Sequence, residues 1–487
     1  MKKHIIALSV AAAMGGFAGS ASAATDHLVF NPTGVGHILL VPYFSAQSAN
    51  VSAINIVNTD TVHGKVVKVR FRGASNSDDI YDFQVFLSPG DVWTAGISQG
   101  ADGRAQLATT DKSCTLPATV NGSFIIGRTA TQAPDRNAET REGYVEVLTM
   151  ADIVKGPTGS NKLALWTATK HVNGTAPCTS STLTALTHEN ADSYMEKPTT
   201  GIMANWTIVN VARFLVYSGA AAAIEARNIA SGDAIAGNLV YWDQRSTPLT
   251  TGEVTANTAD PLLVQGYVAG ARYDLPDLST PYLGSCCTPA AQALELSDSI
   301  ASRTIAGEFN NLASLGASTD WVVSFPTRRY HAAVRYTGTG APARVYGATN
   351  PYFNSGNTEM KGYQMCSSLG LNALGFYDRE EKAPLVDDIV ISPGTPVSLS
   401  LCGEVAVLGI NGGIDAAGIA ASATFGALTR ANATNGFTEG WGYFTTPTAD
   451  GLPMLANQFT RYSNTTTNVY YGTNYPARVL EKGLMAP

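Results

Sequence analysis

Residues 65–72 read Lys-Val-Val-Lys-Val-Arg-Phe-Arg. Side chains of an extended strand alternate between faces, so Val67, Val69 and Phe71 fall on one side and Lys68, Arg70 and Arg72 on the other. The first face is expected in a core and the second in water. A small polar segment follows from Gly73 to Asp79, and then a second alternating run places Phe83, Val85 and Leu87 inward with Asp82 and Gln84 outward. Two such runs joined by turn-forming residues predict an antiparallel hairpin whose outer charges pair across the strands.

The same alternation recurs along most of the chain. Candidate strands cover 38–44, 51–57, 92–97, 144–148, 206–211, 239–242, 321–325, 332–336, 389–391, 397–401, 405–408 and 441–444. Helix signals are sparse. The clearest is Thr288-Pro289 before an alanine-rich stretch to Ser302, with Thr as N-cap and Pro at the first helical position.

Two faint repeats suggest duplication. Leu87-Ser88-Pro89-Gly90 and Ile391-Ser392-Pro393-Gly394 each lead into a strand, and Glu142-Gly143-Tyr144 is echoed by Glu439-Gly440-Trp441. The expected fold class is therefore all-β: two immunoglobulin-like β-sandwich domains with a short helical insertion between them. The expected bounds are a signal peptide at 1–23, an N-terminal domain at 24–240, an insertion or linker at 241–312 and a C-terminal domain at 313–487.

The leader assignment rests on Lys2 and Lys3, the apolar stretch from Ile5 to Phe17, and the small-residue ending Ala21-Ser22-Ala23. It implies export to the cell surface or medium, with the periplasm as the alternative. Loss of the two lysines takes the formal charge from −7 to −9, so nucleic acid is not an expected partner. No later apolar run is long enough to span a bilayer. Charged residues are only 14% of the chain, against roughly 25% in ordinary soluble proteins. The surface is correspondingly neutral and hydroxyl-rich.

In an oxidising compartment the even set Cys114, Cys178, Cys286, Cys287, Cys366 and Cys402 reads as disulfides. The preferred pairs are Cys114–Cys178 and Cys366–Cys402, with Cys286 and Cys287 bonding each other or a partner chain. No CxxC pair or neighbouring histidine supports zinc.

Catalytic signals are thin, and the chain is read as non-enzymatic. Gly96-Ile97-Ser98-Gln99-Gly100 matches G-x-S-x-G, but a nucleophile elbow needs a helix after its serine, and Ala101-Asp102-Gly103-Arg104 is a turn. The histidines His27, His37, His63, His171, His188 and His331 stand singly. Carboxylates cluster at Asp78-Asp79 and at Asp378, Glu380, Glu381, Asp387 and Asp388. Calcium takes six to eight oxygen ligands, so Asp78, Asp79, Asp387 and Asp388 are its weak candidates, with solvated acidic loops as the plainer reading. No cofactor is otherwise implied. Tyr462, Tyr470 and Tyr471, among Ser, Thr and Asn, are candidates for a glycan contact or a packed sheet edge. The Lys68/Arg70/Arg72 stripe is a candidate for anionic lipopolysaccharide or polysaccharide, or simply the wet face of a strand.

The blocks VVKVRFR (66–72), DFQVFLSPGDVWTA (82–95), DWVVSFPTRRY (320–330) and NIVN (55–58) resemble exported proteobacterial proteins described as cell-surface or surface-layer-like. The resemblance implies a β-rich surface protein without known catalytic residues. The expected function is a structural cell-surface protein, possibly a surface-layer subunit built by self-association. A surface adhesin or glycan-binding module is the alternative, and a serine hydrolase using Ser98 is third.

Overall fold

The computed structural model describes residues 26–244, 249–268, 275–284, 288–336, 341–369, 373–381, 399–410, 430–433, 436–448, 450–464 and 469–479. The hairpin forms as expected from strands Gly64–Gly73 and Asp79–Leu87, with Arg70 opposite Asp82 and Lys68 opposite Gln84. On its other side Gly64–Gly73 pairs with Glu142–Ile153, which sets Glu146 against Arg70 and Asp152 against Lys65. These three strands are part of a seven-stranded sheet that also holds Asp26–Asn31, Ala222–Asn228, Ile38–Ser45 and Cys114–Leu116.

A six-stranded sheet packs against one face of it, in the order Leu215–Ala220, Ile202–Asn210, Asn50–Asn58, Val92–Gln99, Ala105–Ala108, Gly122–Ser123. Val67, Val69, Phe71, Phe83 and Val85 meet Ile54, Trp93, Trp206 and Ile208 in the core between them. Val322, Val405, Val407 and Phe459 from the second half of the chain join this core, and Phe459 packs against Tyr43, Trp206 and Tyr217.

The opposite face of the hairpin does not meet water. Lys68, Arg70 and Arg72 are all at most 2% exposed. Arg72 bonds Glu146 at 3.0 Å, Arg70 lies 3.3 Å from Asp79, and Lys68 pairs with Asp82. The cover comes from later chain: Gln244 accepts from Lys68 at 2.9 Å, the Pro276 carbonyl from Arg70 at 2.9 Å and the Tyr330 hydroxyl from Arg72 at 3.0 Å. The wet-face reading of the stripe, and its use for an anionic polysaccharide, are thus corrected. Alternation shows that two faces differ in chemistry; it does not show that the polar one is solvated when enough chain remains to cover it.

Beside the ionic layer the same outer face is apolar. Leu40, Val66, Phe86 and Met150 pack with Leu165 of helix Asn161–Thr169 and with Leu296 and Ile300 of helix Pro289–Ile300. Thr288 caps the latter helix by accepting from the Ala291 N–H, as its sequence implies. The stretch 239–242 is not a strand, and buries Val240, Tyr241 and Trp242 on the sheet, where the Val240 N–H reaches the Met150 carbonyl at 3.0 Å.

The second half builds a four-stranded sheet ordered Leu374–Tyr377, Glu439–Thr445, Thr304–Asn310, Arg478–Val479. It also builds a five-stranded sheet ordered Arg430–Ala433, Val405–Ile410, Ser318–Ser324, Leu455–Asn464, Val469–Pro476. Phe309, Trp321, Phe376, Leu408 and Phe444 form its core.

The all-β expectation of two immunoglobulin-like β-sandwich domains with one helical insertion is corrected. Among the described residues there are seven dispersed α-helices and seven separate sheets, a mixed α/β architecture. Several helices have four residues, such as Ser180–Leu183 and Ala191–Tyr194, too short for an apolar stripe to repeat, so their Ser/Thr/Asn-rich sequence reads as loop. Disulfides join Cys114 to Cys178 and Cys366 to Cys402, the latter pair directly opposite on antiparallel strands. Cys286, Cys287, the leader and the 391–394 repeat lie outside the described residues.

Candidate binding cleft

A hollow of about 590 Å³ opens where the four- and five-stranded sheets of the second half diverge. One wall is made by Glu308 and Asn310 of strand Thr304–Asn310 and by Glu439 and Trp441 of strand Glu439–Thr445. The other is made by Gln458, Thr460 and Tyr462 of Leu455–Asn464 and by Thr473 and Tyr475 of Val469–Pro476. Asp378, Arg379 and Glu381 close one end.

Strand register places these side chains. Trp441 stands opposite Glu308 on one neighbour and Tyr377 on the other. Gln458 stands opposite Tyr475, Thr460 opposite Thr473 and Tyr462 opposite Tyr471. Alternation then sends Phe309 and Phe444 into the core while Glu308 and Trp441 face outward. Gly440 and Gly442 flank Trp441 for steric reasons. A Cβ at Gly440 would overlap the Tyr377 carbonyl, and one at Gly442 would lie 2.5 Å from the Phe376 ring.

The cleft is aromatic and polar together. The Tyr377 and Trp441 rings stack at 4.8 Å and 12°, with Tyr443 tilted beside them at 6.1 Å. Trp441 is 36% exposed and Tyr475 57%. Gln458 accepts from the Glu308 N–H at 2.7 Å, and Trp321 donates to the Glu308 carbonyl at 3.3 Å, so the backbone beneath the Glu308 carboxylate is fixed from both sides. Arg379 bonds Glu439 at 2.8 Å. Burial, with Tyr475 and Glu308 nearby, raises the Tyr462 hydroxyl above the ordinary tyrosine range and keeps it a donor at neutral pH.

Tyr462, Asp378 and Glu381 are the sequence candidates that this cleft brings together. Tyr470 instead packs on the inter-sheet core, and Tyr471 is exposed. The sequence placed Trp441 in a repeat and a strand but gave no binding role to it or to Glu308, Tyr377 and Tyr475; the glycine-flanked tryptophan was the available signal.

Asp78 and Asp79, the calcium candidates, are buried in ion pairs with arginines. Arg329 lies 3.4 Å from Asp78 and Arg70 3.3 Å from Asp79, and Arg128 also pairs with Asp79. Burial pushes the Asp78 carboxyl up to about 7 against the pull of Arg329. Asp387 and Asp388 lie outside the described residues. Ser98 sits in strand Val92–Gln99, opposite Gln106 of the next strand, with a turn rather than a helix after it. His171 approaches Ser88 at 3.0 Å and Asp91 at 3.3 Å through the same Nδ1 atom. A catalytic triad instead engages serine and carboxylate through opposite ring nitrogens.

Asp60, His63 and Asp152 each bring one ligand atom within 4.8 Å of the others, a set that could coordinate a divalent cation. The ammonium of buried Lys65 enters this cluster, 2.8 Å from Asp152 and 3.3 Å from Asp60. Among the described residues, no helix is long and apolar enough to cross a membrane. Comparison with protein-family models, curated proteins and solved structures gives no match to this chain.

Proposed function

We propose that this chain is an exported, non-catalytic protein of the cell surface that holds a saccharide in the cleft between Trp441 and Tyr475. The observation that carries this is the pairing of exposed aromatic rings with Glu308, Asn310, Gln458, Thr460 and Thr473 in one hollow. A sugar ring presents an apolar C–H face and a rim of hydroxyls, and such a wall meets both at once. The carboxylates accept hydroxyl protons and disfavour polyanions, so a neutral or amine-bearing sugar fits better than a phosphorylated one. Glycoside hydrolysis needs a sequestered, protonated acid beside its partner carboxylate, whereas Glu308 and Glu381 open to water. Export and surface display follow from the leader and from the resemblance to surface proteins, and calcium has no assigned part.

The test is a glycan array probed with the mature chain and with Trp441→Ala. Binding to neutral or amino-sugar structures that is lost in the variant is the expected result; no binding above background in the wild type would remove the reading.

Self-association is the second reading. Val211, Phe214 and Val216 are exposed at 67%, 74% and 51% beside the edge strand Leu215–Ala220. Sedimentation of the purified chain over a concentration series checks it, with a purely monomeric protein counting against a lattice subunit.

A further inference from the structure

We propose that Lys65 and Asp152 join through an intramolecular isopeptide bond, Nζ to Cγ, with Asp60 and His63 as its proton relay and Thr199 as its oxyanion donor. The two reactants sit directly opposite each other on adjacent antiparallel strands, with Lys65 0% and Asp152 2% exposed. Nζ lies 2.8 Å from Asp152 Oδ1.

The surrounding groups supply the parts that acyl transfer requires. Asp152 Oδ2 accepts from the Thr199 N–H at 3.1 Å and from the Thr199 hydroxyl at 2.6 Å. These donors are aimed at the oxygen on which negative charge develops when a nucleophile adds to Cγ. Asp60 Oδ2 stands 3.3 Å from Nζ and 2.9 Å from His63 Nδ1, and the His63 side chain is 37% exposed. A proton path therefore runs from the buried amine to water. The Thr199 carbonyl, 3.0 Å from Nζ, takes an N–H and fixes the nitrogen.

A neighbouring pair serves as an internal comparison. Lys68 and Asp82 are also buried and cross-strand, but their third partner is Gln244, which bonds both side chains. A carboxamide cannot carry a proton away, so the arrangement at Lys68 is an ion pair and the one at Lys65 is a reaction site.

The step balances without any co-reactant. One proton passes from the ammonium to Asp152 Oδ1, leaving a neutral amine and a carboxylic acid. The Nζ lone pair forms the C–N bond to Cγ while the C=O pair moves onto Oδ2, held by Thr199. A second Nζ proton travels through Asp60 to the Oδ1 hydroxyl, which departs as water as the C=O bond re-forms. The third N–H remains on the amide. Amide formation from separate groups in water is unfavourable, but reactants fixed on adjacent strands gain effective molarities on the order of 10⁵ M or more. The product ties together positions 87 residues apart.

The experiment is the intact mass of the folded, disulfide-bonded mature protein, followed by proteolysis. The expected mass is one water below that of the sequence, with a branched peptide joining the segments that hold Lys65 and Asp152. Lys65→Arg should restore the full mass. Asp152→Asn should give the same branched peptide by loss of ammonia, and Asp60→Asn, which keeps both reactants, should form it at least about tenfold more slowly. Wild-type protein folded by circular dichroism but of full mass, with only linear peptides, would overturn the proposal. So would a mass gain removed by a chelator, which would give the cluster to a divalent cation.

Discussion

The Arg72 guanidinium donates to the Tyr330 hydroxyl at 3.0 Å across 258 positions of sequence, while its Nε holds Glu146 at 3.0 Å. The hairpin on which the first half is built is thereby fastened to the second half through an ionic layer shut away from water. Removing one member of a buried pair leaves the other desolvated and uncompensated. Arg72→Leu is expected to cost about 3–5 kcal/mol in urea unfolding, and Arg72→Leu combined with Glu146→Leu distinctly less than the single change.

Acid should loosen the fold through its buried histidines. Burial lowers His37 to about 3 and His331 to about 4. A histidine with a depressed folded-state pKa contributes stability that is complete above its ordinary 6.5 and is lost as pH falls toward the folded value. Asp78, raised to about 7, acts with the opposite sign, costing stability as pH rises from about 4 to 7. Denaturant midpoints of His37→Gln and wild type at pH 8, 6 and 4 separate these contributions; the variant should show a shallower loss on acidification.

The two Glu-Gly-aromatic steps share a steric role. A Cβ at Gly143 would overlap the Arg72 carbonyl, as one at Gly440 would overlap that of Tyr377. Gly440 also sits at φ +152°, where side chains are strained. Gly143→Ala and Gly440→Ala should each lower stability by about 2–4 kcal/mol, whereas Gly127→Ala, with open space around it, should lose less, by thermal melting.

Lys65 Nζ lies 3.3 Å from Asp60 and 2.8 Å from Asp152, so a divalent ion at the Asp60–His63–Asp152 cluster would compete with it for the same oxygens. A chelator should leave the melting midpoint unchanged; a fall that calcium reverses would contradict this.

Much of the local structure was legible. The alternation in 65–72 and 82–87 marked a real hairpin, Thr288-Pro289 marked a real helix start, and the preferred cysteine pairs are the bonded ones. Other signals went unread. Thr250 and Glu253 form a capping box that opens helix Thr251–Asn257. The burial of Lys68, Arg70 and Arg72 could not be read locally, because their cover comes from Gln244, Pro276 and Tyr330. The cleft was hidden for the same reason. Glu308, Trp441, Gln458 and Tyr475 belong to four strands that only register brings together.

Saccharide binding in the cleft between Trp441 and Tyr475 is the proposed function of this chain. Its most direct test is equilibrium binding of purified envelope polysaccharide to the mature chain, to Trp441→Ala and to Tyr475→Ala, measured by titration calorimetry. Each aromatic truncation is expected to weaken binding by about tenfold or more, as loss of a stacked ring does. Unchanged affinity in both variants, or no binding by the wild type, would contradict it.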